Sequence, residues 1–217
     1  MRKITTCALA TIGLAMTANA ANVALGSTYS YSELPRFSGG THYFDDSGSV
    51  NHDGYTTAGA FDNGDLNDGV IFTTGNPVFV GSPIVAWDPT PKAAVITFDL
   101  GAAYDITEVK LDSFVRTDFA LGAPDDYELS FSSDNITYGA ASTVTTNFTF
   151  VTGGKSHAET VSAQARYVRL SFDGDSNGGD KWGLTEVSIE GTIPAPEPSS
   201  AALLGLGGLA LILRRRK

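Results

Sequence analysis

Five stretches of the chain alternate apolar and polar residues with a period of two. Val95-Ile-Thr-Phe-Asp-Leu100 is the most apolar and stops at Gly101. Val109 and Leu111 alternate with Lys110 and Asp112, and Tyr127, Leu129 and Phe131 with Glu128, Ser130 and Ser132. Val168, Leu170 and Phe172 alternate with Arg169 and Ser171, and Val187 and Ile189 with Glu186, Ser188 and Glu190. Successive strand side chains point to opposite faces, so each stretch buries one face and wets the other. Gly, Asp and Asn turns separate the stretches, and no segment between them keeps a helical period. The pattern predicts an all-β chain folded as an antiparallel β-sandwich. Tyr29 to Gly59 is rich in Ser, Gly, Thr and Asp and reads as long loops with one edge strand.

Both ends depart from this pattern. Met1-Arg2-Lys3 followed by apolar Ile4 to Met16 and by Ala18-Asn19-Ala20 has the layout of a secretory signal peptide cut after Ala20 by signal peptidase. The one cysteine, Cys7, lies inside that segment, so the mature chain needs no disulfide. Ala201 to Leu213 is a run of thirteen apolar or Gly residues behind Pro194, Pro196 and Pro198, ending in Arg214-Arg-Arg-Lys217. A bilayer core takes roughly 20 residues of helix, so the run is short for a permanent span. The 217 residues thus divide into 1–20, a body of 21–193, and a tail of 194–217. A body of that size fills one domain.

Charge narrows the partners. The body holds eight Lys and Arg against 23 Asp and Glu, a net charge of −15. Such a surface repels phosphate backbones, which excludes nucleic acid as a ligand. Many of the carboxylates sit on turns, where they serve either as solvated caps or as ligands for a hard cation. In Asp173-Gly-Asp-Ser-Asn-Gly-Gly-Asp180, an EF-hand would need an acid at residue 184, which is Leu184. The flanks also read as strands, so this is a solvated hairpin loop or a looser calcium turn and not an EF-hand. Trp87 and Trp182 lie where loops meet strands and either close the core or stack on a sugar ring; Tyr43 and Tyr55 belong to a loop region able to form a binding rim. His42, His52 and His157 fit no triad or metal spacing, and no acid pair is singled out, so an enzyme is not expected.

Ile96-Thr-Phe-Asp-Leu-Gly101 with Tyr104-Asp-Ile-Thr-Glu-Val-Lys-Leu111 resembles the core of galactose-binding-like domains, the discoidin or coagulation-factor type C jelly rolls. Tyr127 to Asn135, Ala165 to Phe172 and Trp182 to Gly191 continue the likeness, which covers residues 62–191. The resemblance implies a jelly-roll sandwich, a carbohydrate-binding role, and a structural calcium ion between an early Asp-Gly loop and a late Glu. The corresponding residues here are Asp68 and Glu186, with Asp65 and Val70 offering carbonyls and Thr73 a hydroxyl.

Pro196-Glu197-Pro198, the short apolar segment, and Arg214, Arg215 and Arg216 at the terminus resemble the PEP-CTERM sorting signal. That likeness implies export by a Gram-negative bacterium that makes extracellular polysaccharide. It further implies transient anchoring in the inner membrane by a short helix and cleavage by an exosortase. Three functions fit: a non-catalytic polysaccharide-binding surface protein, a purely structural matrix protein, or a glycoside-acting hydrolase.

Overall fold

The computed structural model describes residues 19–32, 61–62, 65–74, 84–87 and 93–194. Tyr43, Tyr55, the signal segment 1–18, and Pro196, Glu197, Pro198, Arg214, Arg215 and Arg216 lie outside the described residues. Among the described residues the only helical element is a 3-10 turn at Thr117–Phe119, and the fold is the expected antiparallel sandwich.

The strands are β1 (Ala21–Asn22), β2 (Thr28–Tyr31), β3 (Phe61–Asp62), β4 (Val85–Trp87), β5 (Ala94–Val115), β6 (Leu121–Gly122), β7 (Asp126–Ser132), β8 (Ser142–Thr145), β9 (Gly153–Phe172), β10 (Lys181–Leu184) and β11 (Glu186–Thr192). The main sheet runs β1-β11-β5-β9-β7-β8, with β2 on the same edge of β5 as β11 but along its first half, and β3 beyond β2; β4-β10-β6 forms a second sheet. Every pairing is antiparallel except that of β10 with β6.

Gly101 does not end a strand. It sits at φ +76° inside β5, where the register with β9 slips between Asp99 and Tyr104. A positive φ turns the chain without breaking it, and glycine takes that conformation at no steric penalty. The two apolar stretches on either side of Gly101 are therefore halves of one bent strand. The first half lies between β2 and β9, the second between β11 and β9. Through this bend β5 and β9 change neighbours, and the sandwich closes around Tyr29, Phe98, Leu111, Tyr127, Val168, Leu170 and Ile189, all fully buried.

Two corrections to the periodic reading follow. Ser130 and Ser132 are buried although they alternate with apolar residues on β7. The 133–139 turn folds back there, anchored by Asp134 and Asn135 N–H donating to Ser132 Oγ at 3.2 and 3.1 Å and by Gly139 N–H to the Phe131 carbonyl. Trp87 and Trp182 are the largest buried side chains and are inaccessible to solvent. They pair across β4 and β10 and stack with ring centroids 4.2 Å apart at 15°. Phe172 stacks on Trp182 at 4.5 Å, and Tyr31 meets Trp87 edge-on. Neither indole offers a face to a sugar, and both serve to fill the core.

At the bend, Arg166 forks onto Asp99, Nε to Oδ1 at 2.6 Å and Nη2 to Oδ2 at 2.8 Å. These charge-assisted bonds hold the Asp99 carboxyl below the usual carboxylate range; burial opposes them and the Gly101 N–H adds to them. A carboxyl lowered in the folded state stabilises above its unfolded value, and that contribution is lost as pH falls through the folded one. Asp99→Asn should therefore lower the melting temperature slightly at about pH 7, and the difference should shrink at about pH 2. Melting curves at the two pH values check this.

Candidate functional site

Residues 65–74 run as a strap from the start of β11 to the start of β9. Leu66 and Asn67 are fully buried. Asn67 Nδ2 donates to the carbonyls of Ala24 and Ser27 at 2.8 and 2.7 Å, and the Gly26 N–H returns a bond to the Asn67 carbonyl. Val187 N–H donates to the Leu66 carbonyl at 2.8 Å, joining the strap to the start of β11. Further along, Phe72 packs edge-on against Phe114 with centroids 4.8 Å apart, and the Thr73 carbonyl accepts the Gly154 N–H at 3.1 Å.

Under the middle of the strap lies Glu186, 1% exposed. Its Oε2 accepts the Gly69 N–H at 3.2 Å, while Oε1 is buried with no hydrogen-bond partner. Burial pushes its carboxyl up to about 8, and the negative charges of Asp68 and Asp112 push the same way against the Gly69 bond and Lys110. Asp68 Oδ1 accepts the Val70 N–H at 2.7 Å, an Asx turn that orients the strap.

The structure thus brings Asp68 and Glu186, far apart in sequence, to one place. Asp65 begins the strap and is partly buried; Val70 is 52% exposed. Thr73 stands at the strap's far end on Gly154, not at Glu186. Among the described residues no three acidic, imidazole or thiol groups converge on a metal position. A cation here would rest on two carboxylates and on carbonyl oxygens. These are hard donors, and the orphaned Glu186 oxygen fits a hard cation such as calcium. Asp112 and Lys110, which the alternation on β5 assigned to solvent, complete the charge pattern: Lys110 Nζ is 2.8 Å from Asp112 Oδ2.

A second feature occupies the outer face of β7, β8 and β9. Glu128 is paired with Ser171 on one side and with Thr143 on the other, and with Asp126, Phe172 and Asp173 they line a groove of about 370 Å³. Its rim carries three carboxylates and two hydroxyls. The carboxyl of neighbouring Asp125 is raised, first by burial and then by Asp126, Asp175 and Asp173. Two residues along the same face of β9, the Arg169 guanidinium lies 3.5 Å from the centroid of the Tyr138 ring. The sequence reading missed this groove because it is made by register between three strands, and no local motif marks it.

Several solved structures resemble this one. A Streptococcus pneumoniae fucose binding module matches at 11% identity over 78% of this chain and 96% of its own, with a TM-score of 0.46. The lectin domain of lectinolysin, solved with Lewis B antigen, matches at 15% identity over 82% and 100%, with a TM-score of 0.48. Chitosan-binding module 1 of a chitosanase/glucanase from Paenibacillus sp. IK-5 matches at 19% identity over 78% and 98%, with a TM-score of 0.45. No curated protein matches the chain. Residues 194–217 match the PEP-CTERM protein-sorting motif. Residues 46–187, well over half of the sequence, match the F5/8 type C domain, and the chain belongs to that family.

Proposed function

We propose that the body is an exported, non-catalytic module that binds carbohydrate of the cell's own extracellular matrix, through the groove on β7, β8 and β9. The chemistry of that groove supports the reading. Carboxylates of Asp126, Glu128 and Asp173 accept hydrogen bonds from sugar hydroxyls, and Thr143 and Ser171 both donate and accept. The volume of about 370 Å³ suits a short stretch of a glycan chain. Binding is tested by retardation of the protein in gels cast with bacterial exopolysaccharides, followed by a glycan array. The double variant Glu128→Gln, Thr143→Ala is expected to weaken binding at least tenfold, or about 1.4 kcal/mol, with an unchanged melting temperature. Absence of retardation on every polysaccharide would favour a purely structural matrix protein.

Calcium belongs to the same reading. Asp68 and Glu186 would hold the ion with carboxylates and Asp65 and Val70 with carbonyls. The ion would supply the positive charge that Glu186 lacks and pin the strap to β11.

The sorting motif would keep the body at the inner membrane until an exosortase cuts near Pro196-Glu197-Pro198 and passes it to the cell surface. The mature protein is expected to lack Arg214, Arg215 and Arg216 by intact mass. Retention of the Arg cluster would make the tail a lasting anchor.

A further inference from the structure

Asp112 is buried to 2% exposure. Antiparallel register places Asp112 opposite Glu186, and paired residues on one sheet face have Cβ atoms about 5 Å apart. The Thr185 N–H donates to the Asp112 carbonyl at 2.8 Å, which fixes that register where β11 begins. Two carboxyls are therefore held side by side, and the negative charge of Asp68 on the strap also acts on Glu186. Lys110 faces this group from the next position along β5, its Nζ 2.8 Å from Asp112 Oδ2 and its side chain 30% exposed. Asp112 Oδ2 forms an ion pair with Lys110 but lies outside hydrogen-bond geometry, while Glu186 Oε1 is buried with no partner of either kind.

We propose that Lys110 is the built-in counter-ion of this carboxylate cluster, competing with calcium for it and so setting how tightly the strap takes the ion. The inference rests on the calcium reading above. When ionised, Asp68, Asp112 and Glu186 carry three negative charges. Lys110 leaves two, which one divalent cation neutralises. Removing the ammonium leaves three negative charges in the ion's neighbourhood and deprives the calcium-free protein of its own compensation. Removing the charge of Asp112 leaves Lys110 unmatched, and it then repels the ion. The two changes act on calcium affinity with opposite signs, which a merely structural role for either residue would not produce.

The test is calorimetric titration of the purified protein with calcium chloride at low ionic strength, for wild type, Lys110→Met and Asp112→Asn, with circular dichroism to confirm folding. Lys110→Met keeps the aliphatic stem and should bind calcium about tenfold more tightly, with a lower melting temperature before calcium is added. Asp112→Asn should bind about tenfold more weakly. Should Asp112→Asn not fold, the exposed Lys110→Met decides alone. Unchanged or weakened affinity in Lys110→Met overturns the counter-ion. If wild type gives neither heat nor a shift in melting temperature, the calcium reading fails, and the inference with it.

Discussion

Trp182→Ala is expected to lower the unfolding free energy by about 3–5 kcal/mol, the range for removing a buried aromatic side chain. The indole is inaccessible to solvent and sandwiched between Trp87 at 4.2 Å and Phe172 at 4.5 Å. It also lies on β10, the central strand of the smaller sheet, so the cavity would open where that sheet meets the main core. Against a typical total of about 5–15 kcal/mol, this loss is large. Urea unfolding measures it, and Trp182→Phe, which keeps a ring against Phe172, should lose less. Full stability in Trp182→Ala combined with lost glycan binding would mean that the indole works at the surface and would overturn the packing described.

Calcium is expected to raise the melting temperature of the wild-type protein, and Glu186→Gln to abolish most of that rise. A ligand bound only by the folded state adds about 2.7 kcal/mol at a hundredfold excess over its Kd. Glutamine keeps the shape and can still accept the Gly69 bond, but it carries no charge to share with an ion. Glu190→Gln, further along β11 opposite Glu108, should keep the full response. The pH dependence has a definite sign. Without calcium the Glu186 carboxyl is raised to about 8, so the folded state holds a proton that the unfolded chain releases. Stability of the calcium-free protein therefore falls as pH rises from the ordinary carboxylate range toward about 8. Calcium takes the proton's place, and its effect should grow over the same interval. Equal calcium responses in wild type and Glu186→Gln at both ends of that interval would remove Glu186 from the site.

The strands were legible because a half-buried sheet imposes its period on the sequence directly. The long paths of β5 and β9 were not. Gly101 announces a local change of φ, and the same signal serves a chain end or a bend depending on which strands lie alongside. Trp87 and Trp182 sit beside Asp, Pro and Lys and look like loop residues, yet their burial depends on β4 pairing with β10 from the other half of the chain. Asp112 shows the reverse error: its alternation with Leu111 correctly gives its face, but that face is buried and not wet. The nearness of Asp68 to Glu186 was suggested by family resemblance and not by spacing. The groove has no linear signature at all.

The pairing of β1 with β11 has a consequence for timing. Ala21 and Asn22 find their ladder only on Gly191 and Glu190. In a chain made from its N-terminus, the first strand of the body waits for its last. Glu186 reaches the strap only a few residues sooner. Most contacts in such a fold join distant parts of the chain, which makes closure slow and late. The two ends of the sandwich, residues 21–22 and 190–191, therefore lie side by side, and anything joined to either end leaves from the same edge of the sheet.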